Sequence, residues 1–250
     1  MITETDFTVT LKKVIFKSLD YLNKCNYEGF DHFDGLSSKL SEISDIHLYK
    51  RLFLQTLSRV PLNIRPLVGI KKHVSAKVIS DLISTYVNIY DLDKKVYDMR
   101  LRNLFKILLE LCSKKSIYCS WGLPFDFVSR NGYMSKDTPN VITTYYAVNA
   151  LLDLYEISKD EDIIKKAESA ALFFINEVGY KTCDTGLYFG YYPGKIEPIH
   201  NSSVLVAALL SRINLFLKSN EISRLAEQAI SYTCSCQNTN GSWYYGENRN

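Results

Sequence analysis

The feature that most constrains this chain is a helix with almost no polar face. From Val141 to Tyr155, apolar side chains fall around most of a helical circumference, so a helix there must be covered on several sides. The segment that follows is different. Between Asp160 and Val178, Ile163, Ile164, Ala167, Ala170, Ala171, Phe174, Ile175 and Val178 recur at helical spacing, while Lys165, Lys166, Glu168 and Ser169 take the opposite side. This pattern predicts a buried helix followed by an amphipathic one lying over it. Thr138-Pro139 reads as the start of the first helix, a capping hydroxyl before a proline, and Gly179 as the stop of the second.

The arrangement repeats. Ser202 to Leu217 is nearly all apolar, and Glu221 to Cys236 carries an inner stripe of Ile222, Leu225, Ala226, Ala229 and Ile230. Val74 to Tyr90 and Lys94 to Cys112 predict an earlier pair. Asp6 to Lys24 and Ser37 to Arg59 predict two further helices separated by a longer loop. Gly meets bulky side chains in the loops Phe33-Asp34-Gly35-Leu36, Trp121-Gly122-Leu123-Pro124-Phe125, Thr185-Gly186-Leu187-Tyr188-Phe189 and Asn240-Gly241-Ser242-Trp243-Tyr244. The last three recur at roughly sixty residues, enough for one helical hairpin and a loop. The expected fold is therefore all-α, an alpha/alpha toroid whose inner helices line a cavity and whose outer helices shield them. A superhelical stack of helix pairs is the competing architecture. About four of the six hairpins of a full toroid are expected, forming one domain over residues 1–250. The chain stops at Asn250 just after a loop suited to feed another inner helix, so truncation is the expected reason for the shortfall.

Composition removes several classes of function. The net charge is only +3, which gives no electrostatic case for nucleic acid or an anionic membrane. The most apolar run, Val204 to Leu217, is broken by Ser211, Arg212 and Asn214 and is shorter than the ~20 residues a bilayer span needs. The first residues lack a secretory pattern, so a cytoplasmic protein is expected. The six cysteines are scattered through helical or apolar surroundings, where reduced thiols act as small hydrophobes. No set of ligands for a metal stands out, and neither metal nor cofactor is expected.

Gln237-Asn238-Thr239-Asn240-Gly241-Ser242-Trp243 has the form QxxxGxW, preceded by Ala229 and Tyr232. It resembles the repeats of squalene and oxidosqualene cyclases. Such a motif implies a tie between hairpins, with Gln capping an outer helix, Gly making the turn and Trp stacking back on the Gln. Further matching stretches are Tyr27 to Leu36, Asn63 to Ile70, Trp121 to Phe127 with Ser129-Arg130, and His200-Asn201. Together they resemble an alpha/alpha-toroid family grouped with terpenoid-cyclase and protein-prenyltransferase toroids and with six-hairpin glycosidases. Its members accompany surface-polysaccharide biosynthesis and continue past the last turn into another helix pair.

Terpenoid chemistry would require a DxDD acid or clustered aspartates holding magnesium; Asp91-Leu92-Asp93-Lys94 matches neither. Sugar chemistry requires aromatic platforms and carboxylates. Asp126, between Phe125 and Phe127, is the first acid/base candidate, with pairing to Arg130 or a turn cap as its structural alternative. His200 and Asp34 complete the catalytic candidates. Asp34 equally suits a turn beside glycine, and Asn201 equally suits a helix cap. Trp121, Arg130, Tyr191, Asn201 and Trp243 are the substrate-binding candidates, although packing between hairpins is the more ordinary role for the two tryptophans.

The sequence thus favours a carbohydrate-processing or carbohydrate-binding protein of surface-glycan biosynthesis, taking a carbohydrate or nucleotide sugar. Hydrolysis, elimination and epimerisation all stay open. Two alternatives remain: a non-catalytic scaffold receiving a protein partner at an open toroid edge, and an isoprenoid-binding toroid whose cavity is lined by aromatics without a carboxylate pair.

Overall fold

A computed structural model describes residues 4–129 and 132–246, apart from the side chains of residues 4–8 and Val96. The chain is all-α in class, with eight α-helices, short 3-10 and π turns and three short two-stranded sheets among the described residues. Its contacts divide it into two compact units, one of residues 1–75 with Pro124–Tyr133, the other of Ala76–Leu123 with residues 134–250.

The first unit contains α1 (Glu4–Lys24) and α2 (His47–Arg59). β1 (Glu28–Gly29) pairs antiparallel with β2 (His73–Val74), and β3 (Phe127–Ser129) pairs with β4 (Gly132–Met134). Leu36, Leu54 and Val128 form a small core with Phe53 against it. The helix expected from Ser37 to Arg59 is shorter. Its first part folds instead as two 3-10 turns, Asp34–Ser37 and Lys39–Ile43. The cause is serine chemistry: Ser38 accepts from the Leu40 amide, and Ser41 donates to the carbonyls of Leu36 and Ser38. Such local bonds compete with the helical ladder.

The second unit follows the expected alternation. Its helices are α3 (Ala76–Asn88), α4 (Lys94–Glu110), α5 (Val141–Ser158), α6 (Glu161–Leu172, continued as a π-turn to Val178), α7 (His200–Leu217) and α8 (Asn220–Ser235). α3, α5 and α7 pack side by side as an inner row. Outside it, α4 covers α3, α6 covers α5 and α7, and α8 covers α7. β5 (Tyr180–Cys183) and β6 (Gly186–Phe189) form a hairpin that packs on α8. There Gly186, at φ +146°, lets the strand approach the α8 backbone at Gln228, where a Cβ would collide.

The helix ends differ from expectation in two places. Asn140, not Thr138, caps α5, its side chain accepting from the Thr143 amide at 2.9 Å. Pro139 lies ahead of the helix, bridged to Gly122. Asn201 does not cap α7 either, because the helix begins one residue earlier at His200 and leaves Asn201 exposed in its first turn. Gly179 does end the α6 segment, at φ +71°, with its amide on the Phe174 carbonyl.

Both α5 and α7 end on a left-handed lysine, Lys159 at φ +56° and Lys218 at φ +55°. Left-handed backbone is strained for any residue with a Cβ. Neither lysine is buried, so little packing is lost on replacement. Lys159→Gly and Lys218→Gly should each raise stability by roughly 0.5–1 kcal/mol in urea unfolding, with the m-value unchanged. No helix among the described residues is long and apolar enough to cross a membrane.

Candidate functional site

The QxxxGxW segment folds into a turn that closes α8. Gln237 donates its side-chain amide to the Gly241 carbonyl at 2.9 Å, and Gly241 sits at φ +82°, where glycine carries no steric penalty. The Trp243 indole N–H donates to the Thr233 carbonyl at 2.7 Å. The tryptophan therefore ties back to the helix through its N–H. Trp121 makes the same kind of bond, donating to the Leu108 carbonyl of α4 at 2.7 Å. In each case the acceptor lies two residues before the end of an outer helix.

The two tryptophans then diverge. Trp121 is completely buried: its amide donates to Thr144 Oγ1 at 3.0 Å, and its carbonyl accepts from the Asn140 amide at 3.0 Å. It locks the α4 end to the α5 start and has no open face, which removes it as a sugar platform. Trp243 remains 41% exposed. It forms one wall of a cleft of about 680 Å³ together with Tyr244 and Tyr245. α7 contributes His200, Asn201 and Val204; α8 contributes Ile230, Thr233 and Cys234.

This cleft brings together three of the expected site residues, His200, Asn201 and Trp243. His200 is buried, its ring 5.7 Å from that of Tyr232, and its amide points at the Tyr245 carbonyl at 3.4 Å. Tyr191 lies behind the same region. Its carbonyl accepts the first amide of α5, and burial together with the neighbouring Tyr245 pushes its hydroxyl up to about 12. Apolar surface dominates the lining, which among the described residues contains no Asp, Glu, Lys or Arg. Thr233 is 8% exposed, and its hydroxyl has no hydrogen-bond partner among the described residues.

The remaining candidates lie elsewhere. Asp34, in the first unit, is fully buried and committed: Oδ1 accepts from Arg65 Nε at 2.8 Å and Oδ2 from the Asp31 amide at 2.9 Å. A carboxylate held this way is a structural anchor for the loop, which removes Asp34 as an acid or base. Asp126, also in the first unit, is half-buried and accepts from the Tyr133 hydroxyl at 2.6 Å. Arg130 lies outside the described residues. His200 belongs to the second unit.

One constellation has no counterpart among the residues expected from sequence. Arg212 on α7 reaches α5, with Nη1 on Asn149 Oδ1 at 2.6 Å and Nη2 on Asp153 at 2.7 Å and Glu156 at 2.9 Å. Asp153 also accepts from Ser84 of α3 at 2.5 Å. A polar seam thus crosses all three inner helices. Its only sequence signal is Arg212 interrupting an apolar run. Every named group in the seam has a partner, so it reads as cross-helix stitching.

No protein-family model matches the chain, and no curated protein sequence matches it.

The environments of Thr233 and Tyr191 each make a measurable difference. An unpaired buried hydroxyl costs about 1–3 kcal/mol, so the near-isosteric Thr233→Val should raise the melting temperature rather than lower it. Tyr191 ionises near 10 in an unfolded chain but only at about 12 when folded. Its contribution to stability is complete below pH 10 and is lost as pH rises through 12. Tyr191→Phe should flatten that loss in a series of urea unfoldings across the window.

Proposed function

We propose that this protein is a toroid-type helical binding protein whose α7–α8 cleft takes an uncharged, mainly apolar ligand of isoprenoid type. The observation that carries the reading is the apolar lining itself, Trp243, Tyr244, Tyr245, Val204 and Ile230, joined by no carboxylate, lysine or arginine among the described residues. A volume of about 680 Å³ lies in the usual range for a small-molecule site. The alternation of inner helices α3, α5 and α7 with outer helices α4, α6 and α8 supports the toroid grouping.

Polarity decides between a hydrocarbon and a sugar. Each sugar hydroxyl taken from water without a new partner costs about 1–3 kcal/mol. A hydrocarbon gains roughly 25 cal/mol for each Å² of apolar surface buried. A mainly apolar lining rewards the second and penalises the first. Among the described residues the lining offers no lysine or arginine to meet a diphosphate, which favours a ligand neutral at this end.

Carbohydrate processing within surface-glycan biosynthesis is the second reading. Asp126 favours it, a half-buried carboxylate oriented by Tyr133. It has lost its expected partner, because Asp34 is bound to Arg65 and two carboxylates are the usual requirement for glycoside cleavage.

Titrating a neutral isoprenoid alcohol against the protein, read by tryptophan fluorescence and calorimetry, tests the first reading. Binding should carry a negative heat-capacity change. Ile230→Asp puts a charge on the cleft wall at a side chain already 41% exposed, and should weaken binding at least about tenfold. Saturation by a sugar or nucleotide sugar, with no response to the isoprenoid, would reject it. Turnover abolished by Asp126→Asn would establish the second reading.

A further inference from the structure

Cys112 and Cys119 lie on either side of a short loop whose two ends are both held. Cys112 follows the end of α4 and forms an antiparallel bridge with Trp121. The Ser113 amide donates to the Ser120 carbonyl at 2.7 Å, closing the base of the loop. The Cys119 amide donates to Ser169 Oγ on α6 at 2.9 Å. Between these anchors the two sulfurs stand 3.7 Å apart, and both residues are half-buried. All of these groups belong to the second unit, and none lines the cleft.

We propose that Cys112 and Cys119 are a reversible oxidation site, a dithiol that peroxide converts to an intramolecular disulfide. A disulfide needs the sulfurs at about 2.0 Å, and side-chain rotation within a loop already closed can supply the approach. The chemistry has an asymmetric start. Contact with Cys119 holds the Cys112 thiol down to about 7 against burial, with the Ser120 and Ser113 backbone and the Lys166 ammonium of α6 adding to the effect. The same contact, together with burial, pushes Cys119 well up. Cys112 is therefore the attacking thiolate and Cys119 the resolving thiol.

The steps balance. The Cys112 thiolate attacks one oxygen of hydrogen peroxide, the O–O bond breaks, and hydroxide leaves from a Cys112 sulfenic acid. Cys119 then loses its proton, its sulfur attacks the Cys112 sulfur, and the S–O bond breaks to release a second hydroxide. The two protons given up by the thiols convert both hydroxides to water. Two thiols and one peroxide become one disulfide and two waters; the sulfurs are oxidised and the peroxide is reduced. Thiol exchange with a small dithiol reverses the change.

The test uses the whole chain, treated with hydrogen peroxide and mapped as peptides without reduction. The expected product links Cys112 to Cys119 and disappears on treatment with dithiothreitol. In Cys119→Ser, the Cys112 sulfenic acid should persist and be trapped by dimedone. The pH of half-maximal alkylation of Cys112 should also move from about 7 towards the ~8.5 of a free cysteine. Linkage of other cysteines, or oxidation of Cys112 to sulfinic acid without linkage, would overturn the proposal. So would a folded protein whose thiols all survive the peroxide. The peptide map of the unsubstituted chain decides the matter even where the serine variant does not fold.

Discussion

The second unit is organised around one constraint, the need to cover α5 on nearly every side. Val141, Ala147, Val148, Ala150, Leu151 and Leu152 are all essentially inaccessible to solvent, and they do not share one stripe. A two-helix hairpin can cover only one side of such a helix. α5 therefore needs α3 and α7 beside it and α6 over it, and the contacts are of that form. An inner row covered by an outer row follows from this requirement. The polar seam from Ser84 through Asp153 to Arg212 lies in the same row. Burying apolar surface is non-directional, whereas a guanidinium fork has fixed geometry. Arg212 therefore supplies a register between α5 and α7 that leucine packing alone would leave looser.

The loops reuse one device for two ends. A tryptophan follows an outer helix, the chain turns, and the indole N–H returns to a carbonyl two residues before the end of that helix. Those carbonyls lie in the last turn, where helical acceptors lose their regular partners; the Leu108 carbonyl takes the indole N–H, and the Thr233 carbonyl takes it beside the Cys236 amide, so the bond fixes the direction of the chain. After α4 the device is buried beneath the start of α5, with Thr144 and Asn140 bonded to the same residue. After α8 it is left with an open aromatic face and becomes a wall of the cleft. The same local chemistry leaves one ring buried in packing and the other open on a cleft, and the difference is set by what lies against the ring.

The same contrast separates what is legible in the sequence from what is not. Helices α3 to α8 can be read because each carries either a continuous apolar surface or a stripe of period 3.6, and side-chain periodicity reports burial directly. The turn at Gly241 can be read because its positive φ favours glycine. Ser37 to Ile46 reads as helix and is not, since the serines satisfy the helical pattern as spacers while their hydroxyls bond the backbone out of it. Thr138 and Asn140 compete as caps for α5 because both residue types cap, and only the backbone conformation chooses between them. Trp121 and Trp243 are indistinguishable in sequence, because exposure depends on residues distant along the chain. The Cys112–Cys119 approach and the reach of Arg212 are tertiary for the same reason.

The fate of the expected catalytic set bears on function. Carboxylates beside glycine and aromatic residues attract attention as acids and bases, yet such positions are also where loops need anchors. Asp34 is fully buried because Arg65 and the Asp31 amide meet it there. An unpartnered charge at that depth would be prohibitively costly, so removing Arg65 would unfold the loop before it freed an acid. The cleft on α7 and α8 shows the opposite arrangement, with aromatic rings left open to solvent and, among the described residues, no carboxylate, lysine or arginine in its lining. Exposed apolar surface of this kind is unfavourable in water, and a ligand that covers it recovers free energy without any group having to transfer a proton.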